Sequence, residues 1–299
     1  MTIAVIGANG WLGGRILAEA AAAGEAVGLA RREQAGLVAV GSAPGALRAA
    51  LVEISPRSII NAAGLTHGSY AALHAANVAI VREALDAAGR LGARLVHLGA
   101  AAEYGDPGTD APVSETHPVW PLEDYGRTKL AAAKLVLAAR RRGGVDAGVA
   151  RVFAVVGPGP AGAGALGALA REVVRLHGHG YEHRVIAVRH GHAVRDFVPL
   201  DVVARSAVAL ALAPRLRTPI VNVCTGRGRS YLEVVAEMLR QTGGGRVEAV
   251  PGGGAIPCVV GDPSVLRQHY GIAAAPSLED LARIAVAAAS GLEQAPASG

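Results

Sequence analysis

"MTIAVIGANGWLGG", residues 1–14, decides the fold. Ile3–Ile6 is a short apolar run of the kind that forms a buried strand, and glycines follow at Gly7, Gly10 and Gly13. Trp11–Ala23 then reads as a helix. Glycine permits a tight turn and lets the backbone approach a pyrophosphate, which sits on the N-terminus of the helix that follows. The spacing is G-x-x-G-x-x-G, not the strict G-x-G-x-x-G, so its placement between strand and helix carries the weight. The loop predicts a dinucleotide cradle of Gly7, Asn9, Gly10, Trp11, Leu12 and Gly13, with the Trp11 ring a packing residue before a ligand stacker.

Outward from this loop, apolar runs alternate with amphipathic stretches. Ala26–Ala30 reads as a strand, Pro44–Glu53 as a helix, Ser58–Asn61 as a strand and Ser69–Leu91 as a long helix. Arg94–Leu98 reads as a strand, Leu122–Arg142 as a helix and Asp146–Val155 as a strand. This rhythm predicts an α/β fold, a Rossmann-type doubly wound parallel sheet with right-handed crossovers. Past about Gly157, Gly, Pro and His become dense and the elements shorten. The expected division is a dinucleotide-binding domain over residues 1–157. A smaller C-terminal substrate-binding lobe over 158–299 is interleaved with the last strands of the first. Gly157–Gly167 reads as a mobile lid and the tail 291–299 as frayed.

The bulk composition narrows the function classes. The chain has 299 residues, is 51% hydrophobic and 18% charged, and is therefore globular, not disordered. Its net charge of +5 is carried almost entirely by arginine, with lysine only at Lys129 and Lys134. The one dense basic cluster, Arg140–Arg142, reads as a solvated helix end, so no nucleic-acid partner is expected. Ala18–Ala23 contains Glu19 and is followed by Gly24 and Glu25, which does not suit a membrane span. Two cysteines without metal-type spacing, and no signal segment ahead of the first strand, suit a reducing cytoplasm. His177, His179, His183, His190 and His192 fit no standard zinc spacing, so no metal is expected and a polar substrate loop is preferred.

After the second strand, a carboxylate would signal NAD by bonding the ribose 2′-hydroxyl. Here the chain reads VGLARRE, and Arg31 and Arg32 suit a 2′-phosphate. NADP(H) is therefore favoured, with NAD(H) possible. Tyr125 and Lys129 lie four apart at the start of a helix and share one face. An ammonium beside a phenol favours the phenolate, and a tyrosine held near neutrality can exchange a proton with a hydroxyl or carbonyl while hydride moves.

With these features the chain resembles the extended short-chain dehydrogenase/reductase family, the NAD(P)-dependent epimerase/dehydratase group. Asn61-Ala62-Ala63-Gly64 resembles its mid-sheet cofactor-supporting motif, and Asn77-Val78 the helix motif ahead of the active-site strand. Pro112-Val113-Ser114-Glu115 and Tyr125-Gly126-Arg127-Thr128-Lys129 resemble the segment carrying the catalytic pair. Gly157-Pro158-Gly159, Arg195-Asp196-Phe197-Val198, Asn222-Val223 and Gly261-Asp262-Pro263-Ser264 resemble later landmarks. The resemblance implies Tyr125 as general acid/base and Lys129 as the group that lowers its pKa and holds the nicotinamide ribose. It implies cofactor contacts at Ala62, Ala63 and Gly64, and Arg195 on a substrate diphosphate. It further implies a homodimer through the helix bearing Tyr125. The reaction implied is hydride transfer at a carbinol or ketone carbon of a modified or nucleotide-linked sugar, or of a related specialised metabolite.

The departures concern chemistry. In HLGAAAEYG, residues 97–105, the family's Ser or Thr four residues before the tyrosine is Ala100, which cannot donate a hydrogen bond. Thr66 and His67, in the loop after the NAAG motif, are candidate replacements in the substrate site, as is a water. Glu103 is a further candidate, although alternation along an extended chain turns it from the pocket. Three accounts of Ala100 stand together: an active enzyme with another donor; a cofactor-binding protein with lost or non-redox chemistry such as isomerisation, cyclisation or sensing; and an engineered replacement of serine. Ala154 stands where the family often has Asn. No arginine lies shortly before Gly261-Asp262-Pro263, where sugar-nucleotide members often carry one.

Overall fold

Strand β1 (Ile3–Ile6) is buried along its whole length, as a strand covered on both faces must be. The computed structural model describes residues 2–159, 164–178, 185–252 and 256–291. The chain continues through α1 (Trp11–Ala23), β2 (Ala26–Ala30), β3 (Val38–Ala39), α2 (Ala46–Ile54) and β4 (Ser58–Asn61). Next come α3 (Tyr70–His74), a π-helical turn (Ala75–Ala79), α4 (Ile80–Leu91), β5 (Arg94–Ala100), a 3₁₀ turn (Ala101–Glu103) and α5 (Asp124–Arg141). Then follow β6 (Ala147–Val152), β7 (Ala154–Val156), α6 (Gly164–Gly178), β8 (Val185–Arg189), β9 (Val194–Pro199), α7 (Leu200–Leu212) and β10 (Ile220–Val223). The last are β11 (Gly228–Ser230), α8 (Tyr231–Gln241), β12 (Arg246–Val250), β13 (Cys258–Val259), α9 (Ser264–Tyr270) and α10 (Leu278–Ala289).

Seven parallel strands form the central sheet in the order β10-β6-β5-β4-β1-β2-β3. Strand order reverses at β1, whose neighbours are β4 and β2. A doubly wound sheet opens its ligand crevice at such a point, outside the carboxyl ends of the strands. One face of the sheet packs on α1 and α7 through Ile16, Val203 and Ala207; the other packs on α2, α4 and α5 through Leu51, Ala84 and Ala132. A separate core of Val173, Phe197, Val234 and Leu281 lies under α6, α8 and α10.

Two expected elements are subdivided. The strand expected over Asp146–Val155 is two strands: β6 ends at Val152, and β7 leaves the central sheet to pair with β9. Phe153 marks the exit. Its N–H still bonds Val223 at 3.1 Å, while its ring packs 6.1 Å from that of Tyr104. The helix expected over Ser69–Leu91 contains the π-helical turn at Ala75–Ala79, which places Asn77 in the protein interior. Such turns recur at functional sites because they redirect one side chain out of the helical register. Helix α5 starts two residues later than expected, with Glu123 at its N-cap.

Candidate active site

The nucleotide loop has the close approaches that require glycine. Gly7 has φ +78°, and a Cβ there would lie 2.7 Å from the Ala63 backbone. A Cβ at Gly13 would lie 2.0 Å from the Gly7 carbonyl oxygen, so helix α1 can pack this close to the strand end only with glycine. No side chain caps α1, and its first turn carries no acid. The uncapped N–H groups and the positive end of the helix dipole fit an anionic pyrophosphate. Trp11 turns away: its indole N–H bonds the Pro158 carbonyl, which makes the ring a tie between the loop and the 157–159 turn. Arg31 and Arg32 follow β2, are exposed, and make no side-chain hydrogen bond or ion pair among the described residues. Together these features fit a dinucleotide.

On the opposite side of the crevice, Asn61 accepts the Ala63 N–H at 3.1 Å and holds the 62–64 segment in place. Asn77 does more. Its side chain bonds both the N–H and the carbonyl of Leu65 (2.9 and 3.0 Å) and donates to the Thr128 hydroxyl at 3.0 Å. Thr128 in turn donates to the Tyr125 carbonyl at 2.9 Å. The π-helical turn thus couples the loop after β4 to the helical turn that carries Tyr125 and Lys129. Sequence reasoning had Asn77 only as a motif residue.

A cavity of about 310 Å³ opens at the end of β5. Ala100, Ala101, Ala102, Leu122, Val152 and Ala154 give it an apolar wall, and Tyr125, Glu123 and Arg195 also line it. The Tyr125 hydroxyl has no hydrogen-bond partner among the described residues. Lys129 is buried beneath, and its ammonium donates to the Leu98 carbonyl. Arg195 sits across the cavity, held through Nη1 to the carbonyls of Val194 and Ile256 at 2.8 and 3.0 Å. The neighbouring Asp196 is fully buried and bonded by Thr225 and by the N–H groups of Gly226 and Gly261.

The acidity of the pair differs from the sequence expectation. Burial pushes the Tyr125 phenol up to about 12, and the negative charge of Glu103 adds to the effect. Lys129 does not pull it toward neutrality. Burial lowers the Lys129 ammonium to about 8, against the opposing pull of Glu103. At neutral pH the protein therefore presents a protonated phenol above an ammonium. Because Lys129 is lowered from 10.5, the unfolded chain binds more protons than the native one between about pH 8 and 10.5, and stability from this group rises across that window. Urea unfolding of wild type against Lys129→Met should show the wild-type advantage growing from pH about 8 to about 10.5. A flat difference would show that the amine is not desolvated.

Three candidates from the sequence fall outside the cavity. Thr66 and His67 lie on the exposed segment after β4 and do not line it. Glu103 does not line it either. The 3₁₀ turn swings its side chain beneath β5, where it is fully buried, accepts the Ala100 N–H at 2.8 Å, and pairs with Arg151 at 2.9 and 3.0 Å. A Cβ at Gly99 would lie 2.5 Å from the Glu103 carboxylate, so the strand must carry glycine there. The Arg151 guanidinium stacks 4.5 Å over the Tyr104 ring, whose hydroxyl bonds Asn222 at 2.8 Å. Truncating one member of a buried pair strands the other charge, so Glu103→Ala should cost about 3–5 kcal/mol in denaturant unfolding. A loss below about 1 kcal/mol would mean that the Arg151 charge finds another partner. Arg151 was legible as an arginine inside the apolar run GVARVF, a buried charge in search of a carboxylate. Of the histidine-rich segment, His179 and His183 lie outside the described residues, as do residues 160–163 of the expected lid and 292–299 of the tail. Among the described residues no helix is long and apolar enough to cross a membrane.

A parallel sheet with a glycine cradle at its switch point, facing a Tyr-x-x-x-Lys helix, defines a dinucleotide-dependent protein of the short-chain dehydrogenase/reductase type. The chain belongs to the NAD dependent epimerase/dehydratase family, whose model matches residues 3–224. It is an NAD(P)-dependent enzyme of that type. A relative from Kitasatospora kifunensis, dTDP-6-deoxy-L-talose 4-dehydrogenase (NAD(P)(+)), is 33% identical over 256 residues, covering 81% of this chain and 79% of the relative. UDP-arabinose 4-epimerase 1 of Arabidopsis thaliana is 27% identical over 197 residues, and the match spans 58% of this chain and 46% of that epimerase. Among solved structures, the Bordetella bronchiseptica enzyme WbmG in complex with NAD and UDP superposes with a TM-score of 0.82 at 24% identity, over 97% of this chain and 94% of that one. This structural likeness supports the fold.

Proposed function

We propose that the chain transfers hydride at a ketone or carbinol carbon of a nucleotide-linked deoxysugar, with Tyr125 as acid and base and NADP(H) as the preferred dinucleotide. The observation that carries the reading is the cavity itself. The unpartnered Tyr125 hydroxyl and the Arg195 guanidinium face one space with an apolar wall between them. A deoxysugar ring with a methyl substituent suits such a wall, and an anionic nucleotide tail suits the guanidinium. The activity printed for the Kitasatospora relative supports the same substrate class.

Gly7, Gly10 and Gly13 would hold the pyrophosphate, Arg31 and Arg32 the 2′-phosphate, and Lys129 the nicotinamide ribose. When bound, the dinucleotide supplies or accepts the hydride. Tyr125, protonated at neutral pH, gives its proton to the ketone oxygen in reduction and takes it back from the alcohol in oxidation. The apolar wall limits water at the reacting oxygen, which strengthens that hydrogen bond. The test is to mix the protein with NADPH and a dTDP-4-keto-6-deoxysugar and follow loss of NADPH absorbance. Turnover supports the reading, and none with any nucleotide-linked ketosugar counts against it. A second reading, cofactor binding without redox turnover, draws on the missing hydroxyl at Ala100; it expects dinucleotide binding with no absorbance change.

For cofactor choice, replacing both Arg31 and Arg32 with alanine should weaken NADPH binding roughly 10- to 100-fold, through loss of charge-assisted bonds, and leave NADH binding unchanged. Equal affinity of the variant and wild type for NADPH would remove the 2′-phosphate assignment.

A further inference from the structure

A second cavity, of about 540 Å³, shares no lining residue with the one beside Tyr125. Its volume falls in the range of small-molecule sites, about 300–1,000 Å³. The chain turns at Thr225–Arg227 just after β10, and this turn forms part of the lining. Gly226 has φ +76°, and a Cβ there would lie 3.0 Å from the Pro263 ring, so the turn packs directly against the start of α9. The segment after α9 completes the lining with Ala273, Ala274 and Ala275. Arg227 reaches across to it, with Nη1 donating to the Ala275 carbonyl at 3.4 Å. The turn is also anchored from the side of the catalytic cavity. Asp196, which lines that cavity, accepts the Thr225 N–H and hydroxyl at 2.8 and 2.6 Å and the Gly226 N–H at 2.8 Å. The second cavity is thus bounded by backbone that is already fixed, which lowers the ordering cost of binding there.

The charges of this lining are unmatched. Arg227 and Arg267 both line the cavity, and among the described residues neither has a carboxylate in ion-pair contact. Arg267 makes no side-chain hydrogen bond there, and Arg227 makes only the one to Ala275. Asp262 is the one acid among the lining residues. Its Oδ1 accepts the Ser264 N–H and hydroxyl at 2.9 and 2.5 Å, and its Oδ2 has no hydrogen bond among the described residues. Two guanidiniums present forks that match phosphate oxygens. A carboxylate oxygen only accepts, so the open Oδ2 suits a hydroxyl. The three alanines and Pro263 give a carbon skeleton apolar surface to rest on. A bare anion uses only the arginines; a phosphate ester with hydroxyl groups matches the whole lining.

We propose that this cavity is a second ligand site, for a small phosphate monoester that carries hydroxyl groups, with Arg227 and Arg267 on the phosphate and Asp262 on a hydroxyl. The site stands apart from the reaction at Tyr125 and does not depend on it. A sugar phosphate and a nucleoside monophosphate share this chemistry.

The test is calorimetric titration of the full chain, saturated with NADPH, with glucose 1-phosphate, thymidine 5′-monophosphate and inorganic phosphate. NADPH occupies the glycine loop, and an Arg195→Ala variant separates binding in the catalytic cavity from binding in the second one. At least one monoester should bind tighter than inorganic phosphate, and which of the two does so identifies the source. Replacing both Arg227 and Arg267 with alanine should weaken that monoester roughly 10- to 100-fold and leave NADPH affinity, the folding control, unchanged. Arg195→Ala should leave the monoester bound as in wild type. Arg267→Glu, at an exposed helix position away from the turn, should give a loss of the same order. Wild-type affinity in the double variant overturns the proposal, and so does wild-type affinity in Arg267→Glu if the double variant does not fold. Binding lost in Arg195→Ala alone overturns it by placing the ligand in the catalytic cavity. Inorganic phosphate bound as tightly as both monoesters reduces the site to an adventitious anion only and overturns it as well.

Discussion

Ala100→Ser is expected to raise kcat for a nucleotide-linked ketosugar by on the order of 10²-fold. The gain follows from the cost of removing one preorganised donor at a developing oxyanion, about 10²–10³ in rate. Ala100 ends β5 in the extended conformation, φ −144° and ψ 146°, which any residue adopts, and its methyl group is part of the cavity wall. Serine therefore adds a hydroxyl without backbone strain, into a space of about 310 Å³. Steady-state kinetics of wild type and variant, with the ratio taken on kcat, reads the result. KM should change little, because a donor that acts as charge develops in the transition state lowers the barrier more than it strengthens ground-state binding. An unchanged kcat would mean that the reacting oxygen is held elsewhere in the cavity. A fall would mean that the methyl group serves the substrate's own apolar surface.

Tyr125→Phe is expected to lower kcat by about 10²–10⁴-fold while NADPH binding and thermal stability stay near wild type. Phenylalanine keeps the ring packed and deletes only the hydroxyl, which makes no hydrogen bond among the described residues. Dinucleotide affinity, measured by fluorescence quenching, separates a chemical defect from a folding one. If the variant turns over within about threefold of wild type, proton transfer runs through another group, and Glu123, which lines the same cavity, becomes the next candidate.

The central sheet was legible because its strands are contiguous apolar runs, buried on both faces, separated by periodic helices and opened by Gly7, Gly10 and Gly13. The second sheet was not. β11 and β13 have three and two residues, too short for a period, and their pairing with β9 is set by tertiary contacts across more than 30 positions. The placement of Tyr125 and Lys129 on one helical face followed from their spacing. Their acidity did not, since it depends on how deeply α5 buries them and on Glu103, a charge brought in by a fold in the chain. Alternation turned Glu103 from the pocket, and the structure does so too, but through a 3₁₀ turn over residues 101–103 and not an extended chain, and no local pattern announced that Arg151, 48 positions away, waited below it. Thr66 and His67 were candidates by nearness in sequence to the NAAG motif; the chain after Gly64 runs out to solvent, and the link back to the site passes through Asn77 instead.

The central claim is that hydride and proton meet at one substrate carbon and its oxygen in the cavity beside Tyr125. Incubating the protein with a nucleotide-linked 4-ketosugar and NADPH deuterated at the transferable nicotinamide position, then weighing the product by mass spectrometry, tests it most directly. The account predicts one deuterium on the former ketone carbon, with the yield lost in Tyr125→Phe. Product that carries no deuterium, or labelled product formed equally well by Tyr125→Phe, would contradict it.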